Sequence, residues 1–192
     1  MWASSRRERR IQKRLAKSRL KHGISTLSTG DVFFVGLDAS KGYLGWITAF
    51  DHQLPYIVIF DRLIPAGEAS RRIDEALNCK PLLAGMTTDA LFRSGGWVVV
   101  GNRPASPETA ERFLPAYLVR RSGQLLIEDF HRYHNRPAEP SEELSIPPRR
   151  TRAPIGFQRA LQAINGRTEW HDSYSRQQAD KIVLARDVFG SQ

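Results

Sequence analysis

Between residues 30 and 61 three short runs of β-branched and aromatic residues, GDVFFVGL (30–37), YLGWITAF (43–50) and YIVIFD (56–61), are separated by the turn-forming DASKG (38–42) and DHQLP (51–55). Each run is too short for a helical stripe and each break favours chain reversal. The pattern therefore predicts a hairpin followed by a third antiparallel strand, the spacing of a β-meander or small barrel. Gly45, inside the second run, predicts a bulge or bend.

Downstream, GEASRRIDEALN (67–78) places Ile73 and Leu77 four apart among charged residues, which predicts a short surface helix. KPLLAGMTT (80–88) reads as a buried strand, DALFRSG (89–95) as one helical turn ended by glycine, and GWVVVGN (96–102) as the most strongly β segment of the chain. RPASPET (103–109) reads as a loop. AYLVRR (116–121) and QLLIEDF (124–130), joined at Ser122 and Gly123, read as a last hairpin. Residues 135–154 hold five prolines and almost no aromatic or β-branched residue, so they read as a linker. GFQRALQAIN (156–165) and SRQQADKIVLARDVF (175–189) read as two short amphipathic helices.

The expected fold class is α+β: a mostly antiparallel, small barrel-like or curved sheet domain with short helices, a basic N-terminal helix and a helical C-terminal extension. The expected division is a basic arm over 1–22, a β-rich domain over 27–134, the linker over 135–154 and the extension over 155–192.

Charge is concentrated at one end. Of the formal +9, residues 1–22 carry +8, with nine basic residues against Glu8 alone. The remaining body is nearly neutral, so the high pI belongs to the arm rather than to a folded basic face. The arm reads as a phosphate-backbone or anionic-membrane attachment, or as a solvated, frayed helix; its Arg-rich, Ser-containing composition also has a transit-peptide look. No apolar run approaches the roughly 20 residues that span a bilayer. A lone Cys79 cannot form an internal disulfide, and a cytoplasmic location follows.

Catalytic patterns are weak throughout. EDFHRYH (128–134) gathers Glu128, Asp129, His131 and His134, but on a strand the two histidines point to opposite faces, so no metal site is expected. There is no G-x-S-x-G elbow, Walker A loop or G-x-G-x-x-G. GRTEWHDSY (166–174) reads as a turn around a buried Trp170. The sequence thus predicts a binding protein without catalytic residues, metal or cofactor.

Four segments in order carry a family resemblance: Gly30, Asp31, Val32 and Phe33; Gly42, Tyr43, Gly45 and Ile47; Asp61; and Gly95, Trp97, Gly101, Asn102 and Pro104. Over about residues 30–133 the chain resembles the Imm26 family of bacterial immunity proteins. The resemblance implies a mostly β domain that binds a cognate protein toxin in interbacterial competition and neutralises it stoichiometrically. Tyr43, Trp46, Tyr56, Phe60 and Trp97 lie mostly on strands, where core packing is the default; residue chemistry and strand-end position nonetheless nominate Asp31, Asp38, Tyr43, Trp46, Asp61, Trp97, Asn102 and Arg103 as toxin-binding, because aromatic and Arg anchors dominate protein interfaces. If the toxin is a nuclease, a local patch of Asp31, Asp38 and Asp61 would have to supply the negative field. The rival reading is a nucleic-acid-binding accessory protein that grips phosphates through Arg6, Arg7, Arg9, Arg10, Lys13, Arg14 and Lys17.

Overall fold

The computed structural model describes residues 27–190, so the basic arm and its expected helix lie outside the described residues. The fold is α+β. Strands β1 (Asp31–Gly36), β2 (Lys41–Asp51) and β3 (Leu54–Phe60) form the expected meander. With β4 (Ile64–Pro65), β5 (Pro81–Met86) and β6 (Trp97–Asn102) they make a six-stranded antiparallel sheet of order β5-β3-β2-β1-β6, β4 pairing with the start of β2. Helices α1 (Ile73–Leu77) and α2 (Ala90–Arg93) lie in the connections on either side of β5. After α3 (Pro107–Glu111), β7 (Tyr117–Arg121), β8 (Gln124–Glu128) and β9 (Asn135–Pro137) form a second, three-stranded sheet. Helices α4 (Glu142–Ser145), α5 (Pro154–Ile164), α6 (Asp172–Ser175) and α7 (Ala185–Phe189) complete the chain.

The large sheet is open, not a closed barrel: β5 and β6 are its two edges and do not pair. It is covered on both faces, which is why its strands read as near-continuous apolar runs instead of alternating with polar residues. On one face Val32, Leu44, Trp46, Tyr56, Val58 and Phe60 pack against Leu114, Tyr117 and Phe130 of the second sheet and its approaches, and against Ile73 and Ala76 of α1. On the other, Phe33, Val35, Ile47, Ile57, Ile59 and Trp97 pack against Phe92 of α2 and Phe157, Ala160 and Leu161 of α5. Residues adjacent in sequence, such as Val32 and Phe33, serve opposite cores because strand side chains alternate.

Several expectations change. Gly45 is not a bulge; it pairs with Phe33, whose ring lies where a Cβ would sit, only 2.3 Å away. The extra residue in β2 is Thr48, where the register to β3 shifts between Ile47 and Ala49. The stretch read as a helix over 175–189 is broken into the end of α6, a 3₁₀ turn at Ala179–Lys181 and α7. Its backbone is drawn into bridges, Gln178 with Leu83 and Leu184 with Pro115, that a continuous helix could not make. The proline-rich stretch 135–154 is not a spacer: β9 pairs with β8, α4 follows, and Arg149 is nearly buried between the sheets.

Candidate functional site

The residues nominated from sequence fall into two groups at opposite ends of β1, about 20 Å apart for a strand of this length. At the start of β1, Asp31 faces Asn102 across the β1–β6 pairing, and Asn102 Nδ2 donates to Asp31 Oδ1 at 2.9 Å. Arg103 follows, its backbone N–H donating to the Gly30 carbonyl while its guanidinium grips Asp74 of α1 at 2.7 and 3.2 Å. This pairing holds Asp74 below the usual carboxylate range and raises Arg103. Trp46 Nε1 donates to the Arg103 carbonyl at 2.9 Å, so the indole fixes this rim from inside the core. The structure thus brings Asp31, Asn102 and Arg103 together as a polar rim, with Asp74 as a member that sequence reading did not nominate.

At the other end, Asp38 caps the β1–β2 turn. Its carboxylate accepts from the Ser40 hydroxyl and N–H, each at 2.7 Å, and from Lys41 N–H, and pairs with Arg167. The Ser40 bonds are the main reason its pKa lies far below the ordinary value, with Arg167 adding to them. Tyr43 is 3% exposed, its hydroxyl accepting from Asn165. Burial pushes that hydroxyl's pKa up, and the charge of Asp61 pushes the same way. Asp61 itself is exposed at the end of β3.

The aromatic part of the nomination is corrected by burial. Tyr43, Trp46 and Trp97 are at most 4% exposed and cannot act as surface anchors. Trp97 stacks on Phe33 at 5.2 Å and meets Phe92 and Phe157 edge-on. An indole flanked by turns is ambiguous in sequence; here both faces of the sheet are covered, so strand-end aromatics go inward.

Between the sheets lies a charge cluster centred on Arg149. Its guanidinium pairs with Asp51 at 3.0 Å and Glu128 at 2.9 Å, donates to the Asp129 and Phe130 carbonyls, and lies 4.5 Å over the Tyr117 ring. Arg132 pairs with Asp51 and Arg121 with Glu128 from the solvent side. Burial alone would raise the Asp51 pKa, but the Arg132 and Arg149 guanidiniums bring it below the ordinary value. Every guanidinium nitrogen of Arg149 is engaged, which marks the cluster as structural. The histidines beside it are not on a strand, contrary to expectation. They sit in a turn held by Asp129, which accepts from the Tyr133 and His134 N–H groups, and His131 stacks on Tyr133. Among the described residues no three His, Cys, Asp or Glu side chains are grouped to hold a metal ion.

One basic surface escaped the sequence reading. A cleft of about 290 Å³ is lined by Arg152, Ala153, Ile155, Gly156, Arg159, His171, Ser173, Tyr174 and Gln177. Trp170, read as buried, is 40% exposed and lies edge-on to Tyr174 beside it. The available signal was the run of Arg149, Arg150 and Arg152 directly before Pro154, a proline suited to the first position of a helix.

No family model, curated protein or solved structure matches the chain.

Proposed function

We propose that the chain is an immunity-type protein that binds a protein toxin in the cytoplasm and neutralises it by stoichiometric occupation, as the Imm26 resemblance implies. The supporting observation is that the residues carrying the resemblance interlock. Asp31 pairs with Asn102, Phe33 covers Gly45, and Trp97 stacks on Phe33. The pattern therefore describes one rigid platform, and rigidity limits the ordering cost of association. The platform leaves Asp31, Asn102, Arg103 and Asp74 as a polar rim for partner contact. The rim carries two acids and one Arg, so it favours local hydrogen-bond recognition over long-range steering.

The reading predicts an adjacent toxin gene in the host and is tested by co-expressing the product of that gene with this chain. The expected outcome is protected growth and a 1:1 complex that survives high salt and forms equally with a chain starting at Gly23. Replacing Asp31 and Asn102 by Arg weakens that complex by at least about tenfold. Failure to protect, with nucleic acid recovered only by the full chain at low salt, overturns the proposal in favour of the basic arm.

A further inference from the structure

The cleft at the start of α5 gathers positive charge that no described residue neutralises. Arg152 is fixed by its backbone, its N–H donating to the Met86 carbonyl at 2.8 Å and its own carbonyl accepting from Thr87 Oγ1 at 2.9 Å. Its side chain is partly buried, yet forms no ion pair among the described residues. The contrast with Arg149, three residues earlier and engaged on every nitrogen, is direct. Burial lowers the Arg152 pKa, and so does repulsion from Arg176 and Arg150. Arg159, on the same side of α5 as Ile155, lines the cleft, and neither it nor Arg176 forms an ion pair among the described residues. Glu169, Asp172 and Asp180, the acids of the adjoining sequence, form no ion pair with any of them.

The remaining lining has the donors and walls of a ligand site. Helix α5 begins with Pro154, which has no N–H, and has no side-chain cap; the Gly156 N–H turns back to the Ala153 carbonyl at 2.9 Å, which leaves the Ile155 N–H and the positive end of the helix dipole at the cleft. Gln177 is 4% exposed, lines the cleft, and its Oε1 has no hydrogen-bond partner. A Cβ on Gly156 would come 3.1 Å from Gln177 Nε2, so glycine lets that amide sit against the first turn of α5. Ile155 and Tyr174 form apolar walls, Tyr174 being flanked by Trp170 at 5.6 Å and His171 at 5.8 Å.

We propose that this cleft binds the phosphate group of a nucleotide, Arg152, Arg159 and the first turn of α5 holding the phosphoryl oxygens while the half-buried Tyr174, with Trp170 beside it, stacks on the base. Two separate guanidiniums and a helix N-terminus match a doubly charged, multi-oxygen anion better than a single carboxylate. Gln177 Oε1 is closed off from solvent and unpartnered, so a small turn of its amide toward the cleft lets it accept from a ribose hydroxyl or a protonated phosphoryl oxygen. Aromatic and arginine side chains side by side are the usual means of holding an unpaired base next to its phosphate. The site goes beyond the immunity reading and does not depend on it. The same chemistry comes from a free nucleotide or from a single strand, and the experiment separates the two.

The full chain, ¹⁵N-labelled, is titrated with sodium phosphate, with adenosine monophosphate and with a five-nucleotide oligothymidylate; sodium acetate at matched ionic strength is the control. Phosphate and the mononucleotide are expected to shift the Gly156 amide and the Gln177 side-chain amide saturably, the mononucleotide binding about tenfold more tightly through stacking. Arg159→Ala, at an exposed position, weakens both by about tenfold, and Gly156→Ala weakens both by displacing the Gln177 amide. An oligonucleotide that binds more tightly than the mononucleotide identifies a single strand as the source, and one that binds no better identifies a free nucleotide. The proposal is overturned if acetate moves the same resonances equally, if shifts are confined to residues 1–22, or if Arg159→Ala binds as the parent does.

Discussion

Arg149 shows how much one side chain can decide here. It is 12% exposed and stands between Asp51 and Glu128, which are 6% and 2% exposed. Arg149→Met would leave two buried carboxylates facing each other with only their solvent-side partners, and the expected loss is about 3–5 kcal/mol, read as a lower urea midpoint. The Asp51 pKa gives the pH dependence its sign. Because the folded value lies below the ordinary 3.8, its stabilisation is complete at neutral pH. It is lost as pH falls below about 4 through the depressed value, so unfolding free energy should decline on the acid side and less steeply in Arg149→Met. Gly45 makes the same argument through packing. A methyl at that position meets the Phe33 ring at 2.3 Å, and Gly45→Ala should cost about 1–3 kcal/mol in the same denaturation experiment.

At the scale of elements, what could be read from the sequence followed local chemistry. Asp38 and Ser40 close the β1–β2 turn through their own side chains, and the β-branched run at 97–100 becomes β6, so these elements were legible. Of the candidate site, Asp31, Asn102 and Arg103 were each nominated without their pairing, and the burial of Tyr43, Trp46 and Trp97 depended on layers placed far away in sequence. The stretch 135–154 misled because proline content argues against regular structure, whereas β9 needs only three residues and Arg149 supplies its order through long-range ion pairs. Helix α4 is joined to β9 by a two-pronged contact of Arg136 with Glu142, whose carboxylate also accepts from Glu139 N–H at 2.9 Å. The Arg136 contact first, and then the Glu139 bond, lower the Glu142 pKa to about 2 from the ordinary 4.5. The favourable coupling is thus present at neutral pH and lost only between about 4.5 and about 2. A carboxyl-carbon NMR titration should place Glu142 near the lower value, and Arg136→Ala should return it toward the ordinary one.

For the molecule as a whole, the two sheets and the C-terminal helices share their buried cores, which predicts that they unfold together. Phe157 and Leu161 of α5 are at most 1% exposed and complete the core that Phe33, Ile47 and Trp97 begin. Val183, Val188 and Phe189 cover Ala116 and Ile127 on the outer face of the second sheet. A chain ending at residue 134 loses Phe157 and Leu161, each worth about 1.5–3 kcal/mol of burial. It also loses Arg149, which leaves the buried carboxylates of Asp51 and Glu128 without their central partner. Set against a total stability of about 5–15 kcal/mol for a domain of this size, these losses are large enough to unfold it. The chain over 27–190 should therefore unfold in a single transition, with calorimetric and van't Hoff enthalpies agreeing, while the chain over 27–134 should show no cooperative transition and little amide dispersion. A folded 27–134 fragment would mean that the strands close their core without α5, and that the C-terminal third is a separable addition carrying the basic cleft.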